Sequence, residues 1–217
     1  PHQQQAARRQ QLRMPATHHR GPECAGGTEL YSEGSITFST DNDFELDDAV
    51  RFGTRHLSLA VGAFNVGSAE SLAAAQAAGT LAPGLSLSQQ VLDRLLRGDT
   101  AKGAPALQTL ELAASGSLNF FGNAVLSTYD DNGVSRLDNL MLTTPALYGQ
   151  GDADDVALIR TENLIWNGSG ERPGGVVAGG AGTGSGRLQV QAERITFGYD
   201  DYGRPDGISS LDRLALG

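Results

Sequence analysis

Apolar residues recur at every second position in short runs along most of this chain. Gly34-Ser-Ile36-Thr-Phe38 alternates, as do His56-Leu57-Ser58-Leu59-Ala60-Val61, Gly116-Ser-Leu118-Asn-Phe120, Leu188-Gln-Val190 and Ile195-Thr-Phe197. Alternation over three to five residues predicts strands with one buried face. Gly, Asn and Asp separate the runs, residues that tolerate the positive φ a turning chain needs. Related six-residue motifs recur at irregular spacing. One is Leu-x-x-Leu-x-Leu, at Leu107 to Leu112, Leu137 to Leu142 and Leu211 to Leu216. Another places a small residue ahead of the apolar pair, at Thr54 to Leu59, Thr161 to Trp166 and Ala192 to Phe197.

Degenerate self-similarity of this kind predicts an all-β solenoid, a β-helix with variable loops. Strands this short gain a full ladder when each pairs with the strand above and below it. The expected interior is a stack of Leu57, Leu59, Leu110, Leu112, Leu118, Phe120, Leu188, Val190, Ile195 and Phe197. A leucine-rich-repeat horseshoe fits less well, because its strict period and Asn/Cys follow-on are missing.

Two stretches depart from the pattern. Residues 68–98 read as a helical hairpin insertion. Its first helix ends at Gly79, and its second is capped by Ser86 or Ser88 and stopped by Gly98. The second helix carries Val91, Leu92, Leu95 and Leu96 on one face, which reads as packed on the strands, and Asp93 and Arg94 on the outer face. A protein-binding role for the hairpin is the competing expectation. Residues 167–186 are glycine-rich, either a flexible loop or the edge of a coil. The strand-like run that follows them argues against a dinucleotide loop, which needs a helix there.

Composition sharpens the picture. Net charge is −9, with 25 acidic and 16 basic residues, only one of them Lys (Lys102). A surface this acidic disfavours nucleic acid and anionic lipid, so no nucleic-acid partner and no stable membrane insertion are expected. The single cysteine, Cys24, excludes a disulfide framework within one chain. Residues 1–27 carry +3 and lack an apolar face, predicting a disordered or non-native lead; 28–217 form the β-helix segment. No secretory signal core is visible in the lead. Pro1 and the strand-like run closing at Gly217 both read as the ends of a fragment.

Candidate chemistry is sparse. Acidic pairs occur at Asp41/Asp43, Asp47/Asp48, Asp130/Asp131, Asp152/Asp154/Asp155 and Asp200/Asp201. Stacked carboxylates on adjacent coils can hold calcium or serve as acid and base in polysaccharide lyases. Asp130, Asp154, Asp200 and Asp201 are the candidates for such a polysaccharide-active enzyme, lyase or hydrolase. The competing reading is that these side chains cap local turns. His56 is the only histidine beyond residue 27, a poor basis for a triad. His2, His18, His19 and Cys24 have irregular spacing for a metal site. Trp166, Tyr148, Tyr199 and Tyr202 have the flat faces that stack on sugars, although an alternating Trp is more often core. Asn167-Gly-Ser169 matches a glycosylation acceptor. No catalytic, cofactor-binding or metal residue is assigned, no cofactor is expected, and the chain is not expected to be an enzyme.

From about residue 50 to 217 the chain resembles filamentous haemagglutinin-type exoproteins, large adhesins of two-partner secretion. The resemblance rests on Leu57-Ser-Leu59 before the insert and on Ser71-Leu-Ala-Ala-Ala-Gln with Leu85 to Asp99 inside it. Thr143 to Asp152, and Gly182 to Leu188 leading into Ala192 to Gly198, complete it. The resemblance implies a right-handed parallel β-helix and export through an outer-membrane transporter. It further implies a secreted location at the outer surface of a Gram-negative bacterium and attachment to receptors or glycans on host cells or other bacteria. Asn-Pro-Asn-Gly secretion motifs are absent, so the match is to an internal segment. It supplies no catalytic residues.

Overall fold

The computed structural model describes residues 10–11, 23–24, 28–47, 49–169, 172–198 and 215–216, the two-residue pieces by backbone alone. In chain order the strands are β1 Gln10–Gln11, β2 Glu23–Cys24, β3 Glu29–Tyr31, β4 Ser35–Ser39, β5 Glu45–Leu46, β6 Arg51–Gly53 and β7 His56–Gly67. Helix α1 Ala69–Ala77, strand β8 Leu85–Leu87 and helix α2 Gln89–Arg97 follow. Then come β9 Thr109–Phe121, β10 Val125–Ser127, β11 Asn139–Thr143, β12 Ala146–Gln150, β13 Val156–Asn167, β14 Arg187–Phe197 and β15 Ala215–Leu216. The fold is thus mostly β. Eleven strands share one sheet, and every strand pair in it is parallel. No helix among the described residues is long and apolar enough to cross a membrane.

Pairing registers explain why alternation was so pervasive. Ile36, Leu57, Leu110, Leu140, Leu164 and Ile195 stand opposite one another across β4, β7, β9, β11, β13 and β14. Two residues on, Phe38, Leu59, Leu112, Leu142, Trp166 and Phe197 form a second column in the same strands. Because side chains alternate with period two, a one-residue slip in any strand would turn its apolar set outward. Leu57, Leu59, Leu110, Leu112, Leu140, Leu142 and Leu164 are buried in one cluster. Each fully buried Leu contributes on the order of 1.5–3 kcal/mol.

The long strands bend, and the inward side changes at the bend. In β7 the register shifts between Val61 and Ala63, after which Phe64 and Val66 are buried. The halves of β9 then pair with different partners, 109–113 with β11 and 118–121 with β12. The small residue of the second motif is explained at such bends. Thr54 Oγ1 donates to Gly34 O at 2.9 Å, and Thr128 Oγ1 donates to Thr161 Oγ1 at 3.0 Å, all three threonines buried. A larger side chain would not fit where the backbone turns.

Two expectations need correction. The insertion is not a simple helical hairpin: β8 lies between its helices and pairs with Phe64–Val66 of β7. Leu85 and Leu87 alternate, and they complete an edge of β7 that β4 does not reach. The helix boundaries follow their punctuation. Ser68 and Ser88 accept from the amides of Ser71 and Val91, and Gly79 takes φ +67° after α1. Leu92, Leu95 and Leu96 join the main core, whereas Val91 is half-buried. The second correction concerns the predicted core in β14. Leu188, Ile195 and Phe197 are 38%, 41% and 47% exposed, and Val190 is half-buried. Among the described residues β14 pairs with β13 alone, and no described strand lies on its outer edge.

Candidate functional site

Four of the predicted acidic candidates, Asp43, Asp47, Asp130 and Asp155, accept from backbone amides. Asp130 Oδ1 accepts from the amides of Asn132 and Val134, both at 2.9 Å, and Gly133 N–H donates to Asp130 O. Those amides favour the charged form, and chiefly the Val134 N–H holds the Asp130 carboxyl below its ordinary value. Asp155 Oδ2 accepts from the Asp152 amide at 2.8 Å, and Asn123 donates to its Oδ1. Asp43 Oδ1 accepts from Gly84 N–H at 3.0 Å, and Asp47 Oδ1 from Ala49 N–H at 2.7 Å. Asp41 and Asp154 are exposed on turns. A carboxylate committed to local amides is a poor proton shuttle, because releasing it would expose unsatisfied donors. Asp48, Asp200, Asp201, Tyr199 and Tyr202 lie outside the described residues, as do the side chains of His2, His18, His19 and Cys24. Among the described residues no group of three His, Cys, Asp or Glu is placed to hold a metal ion.

The other candidates divide between core and surface. His56 is exposed at the start of β7. Asn167 is buried, which disfavours a bulky modification there. Trp166 is buried at 7% exposure and stacks on Phe197, with centroids 5.9 Å apart. Its indole Nε1 has no hydrogen-bond partner. Tyr148 is half-buried and donates its hydroxyl to Gly174 O at 3.0 Å.

Trp166 and Tyr148 come together on an apolar cleft of about 300 Å3, also lined by Phe120, Leu147, Gln150 and Leu188. It opens between β12 and the start of β14. A groove of about 520 Å3 lies between residues 43–46 and the insertion, lined in part by Asp43, Glu45, Gln76, Pro83 and Arg94. The glycine-rich stretch reaches the first cleft at Gly186, and it is held on β12 and the turn after it. Gly182 and Gly184 amides both donate to Gly149 O, and Ser185 N–H donates to Gly151 O. A Cβ on Gly184 would sit 2.5 Å from Gly151 N, so the close approach needs glycine.

Sequence reasoning missed one cluster altogether. Gln89, in the first turn of α2, accepts from Ser127 N–H at 2.7 Å and donates to Ser127 O at 2.8 Å. Its primary amide stands where the peptide group of a neighbouring strand would, on the edge of β10 opposite β13. Gln89 and Arg136 also donate to Asp93 Oδ1, and Arg160 lies 4.5 Å over the Tyr129 ring. The predicted outer-face position of Asp93 is therefore the side that docks on β10. No local pattern announces such a contact, because α2 reaches Ser127 and Arg136 across 38 and 43 residues.

No protein-family model, no curated protein and no solved structure matches the chain.

Proposed function

We propose that this chain is a shaft-type segment of a secreted, filamentous haemagglutinin-like surface exoprotein. Its strands would wind as a right-handed parallel β-helix, reach the outer cell surface of a Gram-negative bacterium through an outer-membrane transporter, and attach to receptors or glycans on host cells or other bacteria. The observation that carries this reading is the pair of apolar columns, each six residues deep, in consecutive parallel strands. Parallel strands of one sheet, with one residue per strand entering each column, are what successive coils would supply. The acidic surface and turn-capping aspartates suit a solvated scaffold, and the two clefts offer concave surface for ligand contact.

Two measurements test it. Small-angle scattering should give an elongated particle, since strands stack at about 4.8 Å per rung. Fluorescently labelled chain should bind cultured epithelial cells or Gram-negative bacteria above a labelled albumin control. A compact particle would sink the coil reading, and binding no better than albumin would sink the adhesive one.

A further inference from the structure

The insertion and the glycine-rich stretch meet outside the main core. Leu92, Leu95 and Leu96 of α2 belong to the cluster that the strands share. Leu72 and Ala75 of α1 do not: they pack with Phe121, the last residue of β9, and with Ala181 of the glycine-rich stretch. Leu81 and Tyr148 border this second cluster. Leu72 and Ala75 are the buried residues of α1, and a nine-residue helix is too short to persist alone in water. Ala181 is the one buried side chain in residues 174–185, which are held mainly through the backbone. Gly174 N–H donates to Gly116 O at 2.8 Å, and the Gly182, Gly184 and Ser185 amides donate to Gly149 O and Gly151 O. Tyr148 donates its hydroxyl to Gly174 O. The two segments touch at Gly180, where a Cβ would lie 2.7 Å from Thr80 O. Thr80 is tied to α1 in turn, donating its amide and its hydroxyl to Ala75 O.

We infer that α1 and residues 174–185 form a two-part flap that opens from the sheet as one unit while the strands and α2 stay folded. Segments open locally where few apolar contacts hold them, and here one leucine and two alanines hold both halves against Phe121. The opening is joint because the halves share that cluster. Lifting 174–185 removes the cover that Ala181 gives Leu72 and Ala75, and lifting α1 exposes Ala181 and Gly180. Tyr148 gives the motion a consequence. It borders the second cluster and also lines the first cleft. An open flap frees its hydroxyl from Gly174 O and runs the cleft on to Phe121, which is 1% exposed when the flap is closed. The open state therefore presents a longer apolar surface than the closed one.

Hydrogen exchange of the intact wild-type chain in low urea tests it without any variant. The Leu72 to Ala78 amides and the Gly182, Gly184 and Ser185 amides should share one protection factor and one urea dependence, both below those of β9. Leu72→Ala should then speed exchange of the Gly182 to Ser185 amides by about tenfold or more, although it touches none of their hydrogen bonds. Ala181→Asp should speed the α1 amides in the same way, because an unpaired carboxylate is costly to bury in the cluster. β9 amides should keep their protection in both variants. Nile red, an uncharged apolar dye, should bind Ala181→Asp more strongly than wild type. Different urea dependences in the two segments, exchange in one segment unmoved by the substitution in the other, protection equal to that of β9, loss of β9 protection in either variant, or unchanged dye binding would each overturn the proposal.

Discussion

Strands β9 and β14 carry the same kind of sequence and meet different fates. Both alternate apolar and polar residues, both bend midway, and both pair in parallel along most of their length. β9 has neighbours on both edges, and Leu110, Leu112, Leu118 and Phe120 are all buried. β14 has one described neighbour, and Leu188, Ile195 and Phe197 stay exposed. Alternation thus specifies which side of a strand is apolar, while the number of stacked neighbours decides how much of that side leaves water. β10 is a third case: its second edge is closed by one side-chain amide from α2 rather than by a strand.

The largest test of that comparison sets one column against itself. Leu110→Ala should cost about 2–5 kcal/mol, the range for a fully buried leucine. Ile195→Ala, in the same column, should cost under about 1 kcal/mol, because much of the side chain is already wet. Urea unfolding of both variants checks this; equal losses would break the contrast. Gly184→Ala comes next. Its methyl group meets the Gly151 backbone, so a loss of about 1–3 kcal/mol is expected, with faster exchange of the Gly182 to Ser185 amides. No loss would mean the loop does not rest on β12.

Gln89→Ala should cost about 1–2 kcal/mol, because it leaves both polar groups of Ser127 without their partner. Hydrogen exchange at the Ser127 amide should rise while β9 amides stay protected. By the same argument, deleting residues 68–98 should unfold the sheet rather than leave it intact, since Leu92, Leu95 and Leu96 belong to the shared core. The smallest effect concerns the contact of β3 with the turn that follows α2. Tyr31 donates its hydroxyl to Asp99, and the carboxylate pushes the phenol up to about 12. A folded value above the ordinary 10 favours the folded state fully below pH 10 and is lost as pH rises through 12. Tyr31→Phe should flatten that alkaline decline in urea midpoint; an unchanged slope would remove Tyr31 as its source.

Several features were readable before any coordinates. Leu57-Ser-Leu59 and its relatives are strands, helices start near Ser68 and at Ser86 or Ser88, and Asp130 to Gly133 is a turn, because each depends on residues close in the chain; the structure chooses Ser88. The strand at Leu85–Leu87 was hidden inside a helical segment: three residues are too few to show a period, and only the unpaired edge of β7 holds them extended. The Gln89–Ser127 contact and the Trp166–Tyr148 cleft were likewise invisible, since each joins residues brought together by strand stacking.

Local chemistry therefore settled where strands, turns and helix ends fall, and which positions are apolar, because steric and hydrogen-bonding preferences act over a few residues. Stacking settled the rest. Burial of Leu110 but not Ile195, the docking of α2 on β10, and the walls of both clefts depend on which strands lie beside which. Those are non-local contacts, set by the summed burial of the columns rather than by any single motif.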